Sequence, residues 1–134
     1  MSTIPVILTI AGSDCSGGAG IQADIKTISA LKGYAASVIT AVTAQNTTGV
    51  QAVYPIPPDI VRAQIISVTD DLQPAAIKIG MVQNAAIVHT IAECLQKYRS
   101  RFVVYDPVMV STSGRKLMTE DTVCAIQNEL FPLC

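Results

Sequence analysis

Residues 12–24, GSDCSGGAGIQAD, crowd glycines, hydroxyls, one thiol and two carboxylates into a turn that follows the apolar run IPVILTIA. A glycine-rich turn between a strand and a helix lets a ligand approach the backbone, and phosphate is the first ligand to test. The P-loop pattern G-x-x-x-x-G-K-[ST] fails. Counting from Gly12, the sixth residue is Gly17, but Gly18 stands where the lysine belongs. The dinucleotide pattern G-x-G-x-x-G/A is met by Gly18, Gly20 and Ala23. That match is weak, because the first glycine comes several residues after the strand ends and no acid follows at the ribose-binding distance.

Asp24 adds a second signal. It shares a helical face with Ile21, Ile25 and Ile28. A carboxylate in an apolar stripe is costly to bury without a partner, and one turn into a helix the dipole favours an anion. Asp24 therefore has either a structural partner or a ligand bearing N–H or O–H donors. Cys15 lies in the turn and is a candidate reactive thiol; an unreactive cysteine is the plainer reading. Cys94, Cys124 and Cys134 form no C-x-x-C pair with it, and no histidine lies at ligand spacing, so zinc is not expected. His89, the one histidine, falls off the apolar stripe of its helix and reads as a surface residue.

These groups need elements to hold them. Residues 5–11 and 36–44 are apolar runs rich in β-branched residues, as in buried strands. Shorter strands are expected at 75–80 and 102–106. Helical spacing joins Ile21, Ile25, Ile28 and Leu31, with Gly33 as the stop. It recurs at Val61, Ile65, Val68 and Leu72 with Asp59 near the start, and at Ile87, Ile91 and Leu95 behind an Asn84 cap. A last helix is predicted over 119–130, capped by Thr119 and stopped by Pro132. Residues 49–56 read as a short extended excursion closed by prolines. Strands alternating with helices imply an α/β fold with a mostly parallel sheet covered on both faces.

In such sheets ligands bind beyond the carboxyl ends of the strands. Those tips carry Gly12, Ser13 and Asp14; Gln45 and Asn46; Gly80 and Asn84; and Asp106, Ser111 and Ser113. The ring suggests a small-molecule site, although polar residues collect in any loop.

The 134 residues suit one domain, half of them hydrophobic and 14% charged. A net charge of −1 offers no footprint for nucleic acid or an anionic membrane. The KYRSR segment at 97–101 reads as a solvated helix end, with cations at its negative pole. The N-terminal apolar run has no basic segment before it and reads as a first strand; no apolar stretch is long enough for a membrane span. Cysteine usage suits a reducing cytoplasm.

The segment LTIAGSDCSGGAGIQADIKT closely resembles the opening of the hydroxymethylpyrimidine/phosphomethylpyrimidine kinases of thiamine biosynthesis. The resemblance continues through SVITAVTAQNTTGVQ, IKIGMV and VVYDPVMVSTSG, in order and with compatible spacing. It implies the ribokinase-like three-layer α/β/α fold and phosphorylation of a hydroxymethylpyrimidine and its monophosphate, with ATP and Mg2+. By the same resemblance Gly12, Ala19 and Asp24 belong to the pyrimidine pocket. Gln45 meets the pyrimidine edge, and Val42, Met81 and Val108 shape the walls. A primary amide both donates and accepts, which suits an aminopyrimidine. Asp106 is implied on the phosphate-transfer side. Vitamin B6 kinases share the fold and supply an alternative reading, as does a non-catalytic pyrimidine-binding fragment.

Members of that family are roughly twice as long. The resemblance therefore implies that residues 1–134 are the N-terminal half of one kinase domain. The anion hole, the catalytic base and most of the nucleotide pocket would lie in the other half. An open sheet edge is then expected, and with it self-association or a homo-oligomer.

Overall fold

Continuous apolar runs give the sheet its centre. In the computed structural model, which describes residues 4–110, 114 and 116–134, β1 is Val6–Asp14 and β2 is Tyr34–Asn46. β3 is Gly49–Pro55, β4 is Ala76–Ile79 and β5 is Phe102–Tyr105. The strand order is β3-β2-β1-β4-β5. β1 runs parallel to both β2 and β4, and β4 parallel to β5. β3 alone is antiparallel, folded back on β2. The excursion expected at 49–56 is thus an edge strand, placed where its terminal proline breaks no central ladder. The turn before it is fixed by Asn46, whose Oδ1 accepts from the Thr48 N–H and hydroxyl and from the Gly49 N–H.

Alternation along β1 divides the two faces. Leu8 and Ile10 join Val38, Ile77 and Ile79 in the main core, under α2 (Pro58–Leu72) and α3 (Ala85–Tyr98). Val61 and Ile65 of α2 and Ile87, Val88 and Ile91 of α3 have essentially no exposed surface. On the other face Thr9 turns toward α1 (Gly20–Ala30). There the covering is thinner. Ile21 of α1 is buried, while Phe102 and Val104 of β5 are exposed. The expected stripe fails at its end: Leu31 is 79% exposed, because the helix stops at Ala30. Lys32, not Gly33, takes the left-handed φ of 65°. Gly33 is required for room, since a Cβ there would meet Ile28 and Ile7 at 2.9 Å.

Asn84 caps α3 as its sequence position predicts, accepting the Ile87 N–H at 2.9 Å. Asn84→Ala is expected to lower stability by about 1 kcal/mol, measured by urea unfolding with an unchanged m-value. Residues 119–130 do not form one regular helix. Thr119 caps α4 (Glu120–Ala125), which widens into a π-helical stretch at Ile126–Leu130 and a 3-10 turn at Phe131–Leu133. His89 is exposed, as expected, with its two ring nitrogens at 2.8 Å from Glu129 and 3.1 Å from Glu93. The hydrogen bond to Glu129 and the neighbouring carboxylates hold its pKa above the usual histidine value. Lys97 lies in the last turn of α3. No helix among the described residues is long and apolar enough to cross a membrane.

Candidate functional site

A cavity of about 310 Å³ opens beyond the carboxyl ends of β1, β2 and β4. Its making begins at Gly12. There the β1–β2 register slips, with Thr40 and Ala41 of β2 opposite one residue of β1. Met81 packs over Gly12 so closely that a Cβ there would lie 2.6 Å from its methyl carbon. Gly20 lies against the Gly12 carbonyl and has φ +56°. The turn is thereby folded back onto the strand that precedes it.

Asp14 organises the rest of the turn. It is 4% exposed. One carboxylate oxygen accepts from the Ser16 N–H at 2.8 Å and the Ser16 hydroxyl at 2.7 Å. The other accepts from the Gly18 N–H at 3.0 Å and the Ala19 N–H at 2.8 Å. Gln22 closes the loop behind it, accepting the Asp14 N–H and donating to the Ser13 hydroxyl. Burial pushes the Asp14 carboxyl up, but the Ser16 hydroxyl and the three backbone N–H groups outweigh it and hold the pKa below its ordinary 3.8. This decides what the glycine turn can bind. The N–H groups that would cradle a phosphate are already donated to Asp14, and its negative charge opposes a second anion.

Asp24 has the structural partners that its apolar surroundings demand. Its Oδ2 accepts from the buried Thr9 hydroxyl at 2.6 Å. Lys78 Nζ donates to both oxygens, at 3.0 and 2.9 Å. Asp24 still lines the cavity, as does Lys78. The sequence reading passed over Lys78, although a lone cation between Ile77 and Ile79 in an apolar strand was a legible signal.

Of the residues singled out from sequence, Gly12, Ala19, Asp24, Gln45, Met81, Asp106 and Val108 all line this cavity. Val42 does not. Alternation along β2 turns Thr43 and Gln45 inward, so Val42 points to the other side, 45% exposed and opposite Tyr54. Thr43, Val110 and Leu117 complete the wall and were not foreseen. The Thr43 hydroxyl's single proton is shared between the Ser13 carbonyl at 2.9 Å and the Gln45 amide oxygen at 3.1 Å. The Cys15 thiol donates to the Gln45 carbonyl at 3.0 Å and pins the turn to β2. Val110 bridges Lys116, folding the loop after β5 back on itself. Ser111 and Ser113 lie outside the described residues.

Tyr105, just before Asp106, is no candidate base. Burial, then Cys134 and Asp106, push its pKa up to about 12. Among the described residues no cluster of three or more His, Cys, Asp or Glu side chains could hold a metal ion. The cavity is thus an apolar slot rimmed by one amide and three carboxylates, with Lys78 as its cation. It suits a small, neutral or weakly basic ring with N–H and O–H donors better than a polyanion.

Comparison with known proteins gives a consistent result. The family model described as phosphomethylpyrimidine kinase matches residues 14–134. The hydroxymethylpyrimidine/phosphomethylpyrimidine kinase of Rhizobium meliloti is 55% identical over 128 residues, covering 96% of this chain and 48% of its own length. The crystal structure of a phosphomethylpyrimidine kinase from Clostridium difficile superposes with a TM-score of 0.92 at 50% identity, over 97% of this chain and 56% of that one. A Staphylococcus aureus pyridoxal kinase in complex with AMP-PCP and pyridoxal superposes with a TM-score of 0.82 at 30% identity, over 98% of this chain and 46% of that one. The chain thus spans about half the length of these relatives.

Proposed function

The chain belongs to the phosphomethylpyrimidine kinase family, and from that premise we propose that its cavity is the pyrimidine side of an ATP-dependent kinase. The substrates would be 4-amino-5-hydroxymethyl-2-methylpyrimidine and its monophosphate, and the product would serve thiamine biosynthesis in the cytoplasm. The observation that supports this reading best is the pairing of the Gln45 amide with the Asp24 carboxylate in one apolar slot. An aminopyrimidine edge offers both a donor and an acceptor, which the amide can answer. Asp24 accepts a further N–H. Gly12, Ala19, Met81 and Val108 line the slot and offer apolar contact to the ring faces.

Phosphoryl transfer depends on holding the attacking oxygen in line, so orientation of the ring is this side's contribution to rate. ATP supplies the phosphoryl group in such a reaction, and Mg2+ neutralises its charge. The described residues do not fit either one: the turn's N–H groups are spent on Asp14, and no carboxylate cluster gathers. No step of nucleotide handling is therefore assigned to them. The placing of Asp106 on the nucleotide side rests on its DPVM segment alone. We assign the transfer machinery to residues outside this stretch, residues 1–134 being one half of a single kinase domain. Self-association through the outer edge of β5 belongs to the same reading.

Calorimetric titration with the hydroxymethylpyrimidine tests the proposal, with pyridoxal as the rival ligand. Binding of the pyrimidine is expected, weakened about tenfold in Gln45→Leu through loss of one buried hydrogen-bonding group. Tighter binding of pyridoxal, or indifference to Gln45→Leu, would sink the pyrimidine assignment.

A further inference from the structure

Lys78 is the feature of the cavity that the proposed function leaves unexplained. Thr9 of β1 and Lys78 of β4 are register partners on adjacent parallel strands. Their side chains point to the same face, and Asp24 of α1 comes down between them. Three elements thus meet in one small network. Lys78 grips both oxygens of Asp24, and Thr9 adds a 2.6 Å bond to Oδ2. The pair is only partly shielded, with side chains 29% and 18% exposed, and a partly exposed ion pair contributes little to stability by itself. Its geometry has another use.

A carboxylate has about four acceptor positions. Oδ2 has two filled, by Thr9 and Lys78, while the bonds recorded at Oδ1 leave one of its positions for the cavity. The two-point grip also fixes the plane of the carboxylate. A short side chain on the first turns of α1 could otherwise swing, and its vacant position would swing with it. Gly80 fits the same scheme: a Cβ at that position would lie 3.1 Å from Lys78 Nζ and 3.0 Å from the Ala11 Cβ. The strand end is kept bare where the ammonium passes.

We propose that Lys78 is a positioning residue for the pyrimidine site: it acts through Asp24, presenting Oδ1 as a fixed, charged acceptor for a ligand N–H. This rests on the pyrimidine-binding reading above. It makes Lys78 a determinant of affinity and orientation through the carboxylate that it holds.

The test uses the full chain and the hydroxymethylpyrimidine as probe, with four proteins: wild type, Lys78→Met, Asp24→Asn and the double variant. Lys78→Met alone leaves the half-buried Asp24 without its cation and costs stability. The double variant removes both charges and keeps the shape, so it separates folding from binding. If Lys78 acts through Asp24, each single variant binds about tenfold more weakly and the double variant binds no worse than Asp24→Asn. The carboxyl 13C resonance of Asp24, identified by its loss in Asp24→Asn, moves on ligand addition in wild type and moves less in Lys78→Met at matched saturation. Unchanged affinity in Lys78→Met, or losses that multiply in the double variant, overturns the proposal and leaves the pyrimidine reading standing. A wild-type chain that does not bind the probe overturns both.

Discussion

Gly20→Ala is expected to leave the chain unfolded, or less stable by about 3–5 kcal/mol, which is close to the whole reserve of a small domain. Two separate penalties meet at this residue. Its φ of +56° is one that side-chain-bearing residues rarely adopt. The added Cβ would also stand 2.1 Å from the Gly12 carbonyl oxygen. That atom is backbone within β1, held between Ala11 and Ser13, which both pair with β2, so it has little freedom to move aside. Relief would require lifting the start of α1, which carries Asp24. Chemical denaturation followed by circular dichroism measures the loss. A variant within about 1 kcal/mol of wild type would show that the turn relaxes freely. Gly18→Ala is the natural control: a Cβ there would lie 3.8 Å from an Asp14 oxygen, an ordinary contact.

Asp14→Ala should cost about 2–4 kcal/mol, the second largest effect. The substitution strands the N–H groups of Ser16, Gly18 and Ala19 and the Ser16 hydroxyl at one stroke. Water can reach part of the turn, which keeps the figure below the sum of four separate losses. The pH dependence gives a sharper signature. The folded pKa of Asp14 lies below its ordinary value of 3.8. Its contribution is therefore fully present above that value and drains away as pH falls through the lower, folded pKa. Thermal unfolding followed from neutral pH down into the acid range should show a steeper acid loss in wild type than in Asp14→Asn. Parallel curves would mean that the carboxylate's hydrogen bonds are no stronger than those of an amide.

The central strands were legible because burial on both faces favours apolar runs, which β1 and β2 have; β4, interrupted by Lys78, and β5, at the sheet edge, show shorter ones. Their ends were not. β1 and β2 extend through Asp14 and Asn46 because polar side chains at strand tips pair their backbones as well as apolar ones do. β3 was read only as an extended excursion, because a closing proline argues against a strand in general and an edge strand tolerates it. Helix stops misled for a similar reason: Gly33 suggested a left-handed cap, but the glycine serves packing and Lys32 takes the unusual backbone angle. Of the site positions that the resemblance implied, Val42 alone does not line the cavity, since a motif says nothing of which face a strand residue takes. Asp14 was noticed as one more polar tip residue. Only the coordinates show that it fills the glycine turn, because neither hydrogen-bond direction nor saturation is written in residue types.

The position of β1 between β2 and β4 has a consequence for how the chain reaches this state. β2 is the next strand in sequence and can pair with β1 early. The other side of β1 must wait until the β2–β3 hairpin, α2 and β4 have all been made. During that interval the central strand of the sheet presents a bare ladder, and closing it requires contact between distant parts of the chain. Folding of this sheet is therefore gated by a late, non-local event. A nascent chain stalled before β4 would be a good client for chaperones that hold exposed strand edges.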